Sequence, residues 1–139
     1  MTTKCYPVSV RILLRTVNSP RCRITVMGQT KDLTVNGDTW VEFTLEGHGA
    51  GTLNIEHYDK RDSDPTTALI VEQIQFNEIT DPKFVWAGLY HPKYPTHLTG
   101  DTVLKYHNYL GWNGVWTLDF TLPIYTWIHK TLDLGWIYD

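Results

Sequence analysis

Apolar and polar residues alternate along much of the first half of the chain. In residues 6–12 (YPVSVRI) and 21–26 (RCRITV), an apolar side chain recurs at every second position. This period of two is typical of a β-strand with one buried and one solvent-facing side. Further segments rich in strand-forming residues follow at 32–35, 39–45, 52–58, 68–79 and 115–121.

Turn-forming residues separate these segments. Residues 18–20 (NSP) and 36–38 (NGD) are turn signals, and glycines at 47, 49 and 51 interrupt the chain before the next strand. Short strands spaced by turns, without a helical period before residue 122, favour a sandwich. We therefore predict an all-β fold, an antiparallel two-sheet β-sandwich of the jelly-roll type.

Three later segments depart from this alternation. Residues 84–88 (FVWAG) are predicted as a short strand. Residues 91–95 (HPKYP) contain two prolines, which donate no hydrogen bond to a strand ladder, so we predict a loop that exposes Tyr94. Residues 124–130 (IYTWIHK) follow Pro123 directly and predict a short helix.

Aromatic residues are frequent, with six Trp, eight Tyr and four Phe, and half of them lie from Val103 onward. A terminus this apolar needs cover, so it either packs across the sandwich or docks on another subunit. We predict a β-sandwich domain at 1–121 and an aromatic C-terminal anchoring segment at 122–139. The candidates for a partner interface are Trp127, Ile128, Trp136 and Tyr138.

Charge and composition narrow the range of partners. The net charge of −3 and the pI near 6.0 do not suit a nucleic-acid-binding surface, which needs clustered Lys and Arg. No run of about 18 apolar residues is present, so we expect no membrane span. Residues 1–9 show no signal-peptide pattern. The two cysteines form no disulfide framework, and Cys22 is expected in the core.

Carboxylates crowd the loop that follows residue 58. Asp59, Asp62 and Asp64 supply hard oxygen atoms of the kind that Ca²⁺ prefers, and Glu72 shares strand parity with Ile70, so it is expected to point inward. The candidate metal ligands are Asp59, Asp62, Asp64 and Glu72. Two alternatives remain: the loop is a solvated turn closed by Asp side chains, or Glu72 sits on a bulge or pairs with Lys60 or Arg61.

Aromatic side chains beside carboxylates suit a glycan platform, since sugar C–H groups stack on ring faces while sugar hydroxyls bind polar groups. The glycan-binding candidates are Trp86, Tyr90 and Tyr94. The alternative for such residues is the core or a subunit interface, where Tyr and Trp are also enriched. We expect this alternative for Trp112 and Trp116.

The remaining chemistry is sparse. His57 alternates with Leu53 and Ile55 and is expected as a core histidine, while no histidine pair has a spacing typical of zinc sites. No nucleophile motif or phosphate-binding loop is present. We therefore predict that the protein is not an enzyme.

Part of the chain resembles a known family. Residues 54–56 (NIE), the Asp-rich loop and residues 69–77 (LIVEQIQFN) resemble the C-terminal half of calcium-dependent xylan-binding carbohydrate-binding modules, which are β-sandwiches. The resemblance covers about residues 8–79. It implies Ca²⁺ near Asp59, Asp62 and Asp64, with sugar hydroxyls completing the coordination. Two departures are Glu78, where the family has glycine, and Pro65 within the loop.

The second half looks different. Residues 74–84 and 89–95 resemble small structural proteins of tailed bacteriophages that carry such a sandwich. The resulting prediction is a non-catalytic virion protein, a capsid decoration or tail component, docked through its C-terminus on other virion subunits or on a second copy. It would be made in the host cytoplasm without a signal peptide. The alternative is a calcium-dependent glycan-binding module for a host or surface polysaccharide.

Overall fold

The structure, a computed structural model, describes residues 5–61, 63–64, 66–94 and 98–132. In chain order the strands of these residues are β1 (Tyr6–Val17), β2 (Arg21–Val26), β3 (Gln29–Thr34), β4 (Thr39–Gly47), β5 (Gly49–Tyr58), β6 (Ala68–Phe76), β7 (Ile79–Thr80), β8 (Leu89–Pro92), β9 (Leu104–Lys105), β10 (Tyr109–Leu110) and β11 (Gly114–Leu122). The helices are α1 (Pro82–Trp86) and α2 (Ile124–Thr131).

These strands form two antiparallel sheets, which confirms the predicted β-sandwich. The first sheet has the order β10-β6-β1-β4, with β7 paired to β6. The second sheet has the order β3-β2-β5-β11-β8-β9. The predicted segments at 6–12, 21–26 and 52–58 all lie within strands of this sandwich.

The core is formed by the inward side of each alternating strand. On β2, Cys22, Ile24 and Val26 are buried, whereas Arg21 and Arg23 are exposed. Each fully buried aliphatic side chain contributes about 1.5–3 kcal/mol to stability. Burial also raises the pKa of the Cys22 thiol to about 12, so Cys22 is an unreactive core residue, as the alternation predicts.

The prediction of a strand at 84–88 was wrong, because a helix forms there. Asp81 accepts a hydrogen bond from the Lys83 N–H at 2.9 Å, and Pro82 occupies the first helical turn. Both are helix-start signals that outweigh the strand preference of the apolar run. Phe84 and Val85 form the buried side of α1.

The prediction of a loop at 91–95 was wrong for its first two residues. Leu89–Pro92 forms β8, which pairs with β11 on one side and β9 on the other. The strand tolerates Pro92 because this residue is its last, opposite Gly114. Tyr94 follows the strand and is half-buried rather than fully exposed.

The helix predicted after Pro123 is confirmed, and it packs on its own sandwich. Ile128 is buried in the core. The Trp127 ring lies 5.2 Å from Phe76 and 5.5 Å from Phe84, measured between ring centroids. Two of the proposed interface residues, Ile128 and Trp127, thus contact their own domain, while Trp136 and Tyr138 lie outside the described residues. Docking on another subunit and the boundary at residue 121 stay predictions. None of the described helices is long and apolar enough to cross a membrane.

A close contact in the core yields the first prediction. Trp116 is fully buried, and a Cβ atom added at Gly88 would lie 2.1 Å from Trp116 Cζ2. The substitution Gly88→Ala should therefore lower the free energy of unfolding by about 1–3 kcal/mol, because the packed indole cannot move aside. Urea denaturation followed by tryptophan fluorescence measures this change.

The matched control is Ala87→Ser, at the exposed C-terminal end of α1. It should change the free energy of unfolding by less than about 0.5 kcal/mol. An unaltered midpoint for Gly88→Ala would contradict the packing of Trp116 against this glycine.

The buried histidine yields the second prediction. His57 is fully buried, as its strand parity predicts, and its Nδ1 lies 2.9 Å from the Leu110 carbonyl oxygen. Because a carbonyl only accepts, Nδ1 carries the proton, and Nε2 has no hydrogen-bond partner among the described residues. Burial lowers the pKa of His57 below its ordinary value.

Acid should therefore destabilise the protein through His57. Below a pH of about 6.5 the unfolded chain binds a proton on this histidine that the folded chain does not, so the free energy of unfolding falls as pH falls from about 6.5 toward the lower folded-state pKa. Each pKa unit of separation corresponds to about 1.4 kcal/mol. Urea denaturation across this range should show a smaller loss for His57→Gln, and an equal loss in both proteins would refute the assignment.

Candidate functional site

An aromatic cleft lies where the β10 edge of the first sheet meets the β8–β9 edge of the second. We call it the aromatic cleft, and its ring-bearing walls are Tyr90, Tyr94, His107, Tyr109 and Trp112. The other polar side chains that line it are Lys60, Thr66 and Thr67. Its volume of about 250 Å³ is just below the usual range of ligand pockets, about 300–1,000 Å³. This size suits a single small ring or a group of similar size.

The position of Trp112 is fixed by a tyrosine. The Trp112 amide donates a hydrogen bond to Tyr90 Oη at 3.1 Å, and the Tyr90 hydroxyl donates to the Trp112 carbonyl. The Tyr90 ring stacks on His107 with a centroid separation of 5.5 Å and an angle of 10°. Tyr90 is only 1% exposed. Its face is therefore covered by protein, which corrects the expectation that Tyr90 presents a ring to a sugar.

Tyr94 and Trp112 form an open corner of the cleft. Their ring centroids are 6.5 Å apart and their planes meet at 64°. Both rings are half-buried, so each keeps part of its surface in contact with solvent. Tyr109 is 46% exposed and adds a third ring from β10. This arrangement offers ring surfaces inclined to one another at 64° to a small ligand.

A polar clamp attaches the loop after β5 to this corner. The Lys60 N–H donates to Asn113 Oδ1 at 2.9 Å, and Asn113 Nδ2 donates to the Lys60 carbonyl at 2.8 Å. The Asn113 carbonyl also accepts from the Lys93 N–H, at 2.6 Å. Asn113 thus joins the loop after β5 to the end of β8: its side chain binds the main chain of Lys60, and its carbonyl binds the main chain of Lys93.

The Lys60 side chain enters the cleft. Its ammonium donates to the Gly111 carbonyl and lies 4.7 Å from the centre of the Trp112 ring. Partial burial lowers the pKa of Lys60, an effect that outweighs the opposite influence of Asp64. The cleft therefore combines a cation with aromatic surface.

The Asp64 carboxylate is occupied by its own loop. It accepts hydrogen bonds from the Thr67 hydroxyl, from the Thr66 N–H at 2.9 Å and from the Thr67 N–H at 3.0 Å. These bonds hold the pKa of Asp64 well below its usual range. Such bonds are those expected if the loop is a turn closed by Asp side chains, the alternative to a metal site. They also hold Thr66 and Thr67, which line the cleft.

Two of the other proposed metal ligands, Asp59 and Glu72, have arginine partners. Asp59 Oδ2 is 2.9 Å from Arg21 Nη1, and Asp62 lies outside the described residues. Glu72 is half-buried, because the register between β1 and β6 shifts at Leu13 and Leu14 and leaves Glu72 on a bulge. The expectation that Glu72 points inward is thus wrong. Glu72 lies on a bulge, which was one of the alternatives. Its carboxylate pairs with Arg15 rather than with Lys60 or Arg61, and Glu72 Oε2 lies 3.8 Å from Arg15 Nη1.

The described positions of Asp59, Asp64 and Glu72 form no calcium site. Among the described residues, no group of three or more His, Cys, Asp or Glu side chains is arranged to hold a metal ion. Ca²⁺ takes six to eight oxygen ligands, whereas Asp59 is paired with Arg21 and Asp64 accepts hydrogen bonds from Thr66 and Thr67.

Trp86 lies in a different place from the two tyrosines. It is 53% exposed on α1 and borders a second cleft, together with Glu72, Gln73, Asp81 and Asn108. The structure therefore separates the three proposed glycan-binding residues into Tyr90 and Tyr94 in one cleft and Trp86 in another.

The sequence predicts Trp112 in the core or an interface and gives Lys60 only as a possible partner of Glu72. Trp116 is indeed fully buried, but Trp112 is half-buried at the cleft. A signal for Trp112 was present, since it lies in the turn-rich stretch 111–114 (GWNG), where a large ring is difficult to bury. Lys60 carried no comparable signal, because its contacts come from residues 51 or more positions away.

Comparison with known proteins gives fold-level matches. No protein-family model and no curated protein matches the chain. The carbohydrate-binding module vCBM60 in complex with galactobiose superposes with a TM-score of 0.55 at 16% identity, covering 79% of this chain and 96% of that one. The selenomethionine form of vCBM60, described as linking two families of calcium-dependent carbohydrate-binding modules by circular permutation, superposes with a TM-score of 0.56 at 16% identity, covering 80% and 89%. The chain thus has the fold of such a module.

The arrangement of the carboxylates yields the third prediction. Adding Ca²⁺ or EDTA should leave the melting temperature unchanged, because the described carboxylates form no calcium site. An ion that bound only the folded state would raise the melting temperature. Differential scanning fluorimetry in both conditions measures this. A rise with Ca²⁺ that disappears in Asp64→Asn would contradict the account and restore the acidic loop as a metal site.

Proposed function

We propose that the chain is a non-catalytic carbohydrate-binding module that holds a saccharide ring in the aromatic cleft. The observation that carries the proposal is the corner formed by Tyr94 and Trp112 beside the Lys60 ammonium. A sugar ring offers C–H groups on its faces and hydroxyls around its edge. The cleft matches both, with ring surface on two sides and polar groups between them.

The polar groups of the cleft suit sugar hydroxyls. Lys60 Nζ has three donors, of which Gly111 takes one, while the His107 ring and the Tyr109 hydroxyl donate and accept. A pocket with mostly aromatic lining and a few convergent polar groups is the usual form of a small-molecule site. The fold supports the same conclusion, since vCBM60 is a carbohydrate-binding module solved with galactobiose.

The lining of the cleft favours binding over catalysis. None of its described lining residues is a carboxylate. Glycoside hydrolysis generally uses a pair of carboxylates that flank the bond to be broken. A saccharide in this cleft would be held without a general acid or a nucleophile beside it.

The virion role and the virion location stay predictions from the sequence. The fold comparison and the cleft both favour the glycan-binding alternative, and α2 already contacts its own sandwich through Trp127 and Ile128. Calcium is left out of the proposed binding step, because Asp59 and Asp64 have protein partners.

The fourth prediction tests the cleft directly. Trp112→Ala should weaken the binding of galactobiose or a xylo-oligosaccharide at least about tenfold, the equivalent of about 1.4 kcal/mol, because it removes one wall of the corner. Isothermal titration calorimetry measures the affinity, and circular dichroism confirms that the variant is folded.

Trp86→Ala is the matched control, since it removes an exposed indole outside the aromatic cleft. It should leave the affinity unchanged. If instead Trp86→Ala abolishes binding and Trp112→Ala does not, the saccharide site is the second cleft and the proposal fails.

A further inference from the structure

The ion pairs among the described residues are formed by arginines. Arg11, Arg15, Arg21 and Arg23 each lie within 4.0 Å of at least one carboxylate oxygen. Among the described residues, Lys60 has no such ion pair, which it shares with the other lysines, but it differs from them in lining the aromatic cleft. It contacts a neutral carbonyl and the face of an indole instead.

The surroundings of the Lys60 ammonium favour an anion as its further partner. The carboxylate of the nearby Asp64 accepts hydrogen bonds from Thr66 and Thr67. The described lining of the aromatic cleft contains Lys60 and His107 but no Asp or Glu. Because one ammonium donor reaches Gly111 and the Trp112 ring covers one side, a donor remains for a group bound in the cleft.

We infer that the aromatic cleft selects an anionic saccharide, whose carboxylate or sulfate ester meets Lys60 while its ring stacks in the corner of Tyr94 and Trp112. The inference rests on the proposed function and specifies its ligand class. An ion pair in this partly desolvated cleft is stronger than one in open water, so the charge adds affinity and selects against neutral sugars. Recognition is direct and needs no metal bridge.

The structure allows Lys60 to be changed without releasing its loop. The clamp to Asn113 uses the Lys60 N–H and carbonyl, which every variant except proline retains. Lys60→Gln therefore removes the charge while the loop stays attached. Lys130→Gln removes an exposed lysine from α2 and serves as the matched control.

The experiment compares digalacturonate with galactobiose, which differ in their carboxylates, and adds a sulfated galactobiose as a second anionic probe. Calorimetry should show at least about tenfold tighter binding of an anionic probe than of galactobiose by the unaltered protein at low salt. The difference should shrink as salt is added, because salt screens charge pairs. The two anionic probes show whether a carboxylate or a sulfate ester is the better partner.

In Lys60→Gln the preference for the anionic probe should disappear, while Lys60→Arg and Lys130→Gln should keep it. EDTA should change none of these affinities. Retention of the preference in Lys60→Gln, or equal binding of galactobiose and both anionic probes by the unaltered protein, would overturn the inference and leave the proposed function intact. Binding of none of the three probes would overturn both.

Discussion

Burial of one apolar side from each sheet is the constraint on which this structure depends. β1, β2 and β5 turn alternate residues inward, and α1 and α2 cover the remaining apolar surface around Phe76. Register follows from this, because a slip by one residue would move a whole apolar row into water. The described bulge on β6 shows the same constraint. It places Glu72 outside the regular pairing with β1, so that the side chains of Ile74 and Phe76 are again buried in the core.

The same constraint determines where a ligand can be held. Side chains within paired strands are committed to the core or to the outer surfaces of the sheets, so free polar and aromatic groups gather where the ladders end. The cleft forms at such a place, between the short edge strands β10 and β9. Asn113 and Tyr90 then fix Lys60 and Trp112 through hydrogen bonds to main-chain atoms, which leaves the Lys60 and Trp112 side chains to line the cleft.

Regular strands could be predicted from the sequence, but the site could be predicted only in part. Alternation is a local property, so the buried positions of Cys22 and His57 followed from parity. Capping by Asp81 was also local and was overlooked because the apolar run after it suits a strand as well as a helix. The neighbours of Lys60 and Trp112, by contrast, depend on contacts between loops distant in sequence, which no local pattern encodes. The acidic loop was conspicuous in composition, yet Asp64 accepts hydrogen bonds from its own loop and Asp59 pairs with Arg21.

The central claim is that the corner of Tyr94 and Trp112 is the saccharide site. A ¹H–¹⁵N correlation spectrum recorded during titration with an oligosaccharide tests it most directly, because every amide and indole N–H responds to nearby binding. The account predicts that the Trp112 indole and the amides of 111–113 shift most, with the Trp86 indole unchanged. Shifts centred on Trp86 and Asn108, with Trp112 unaffected, would contradict it.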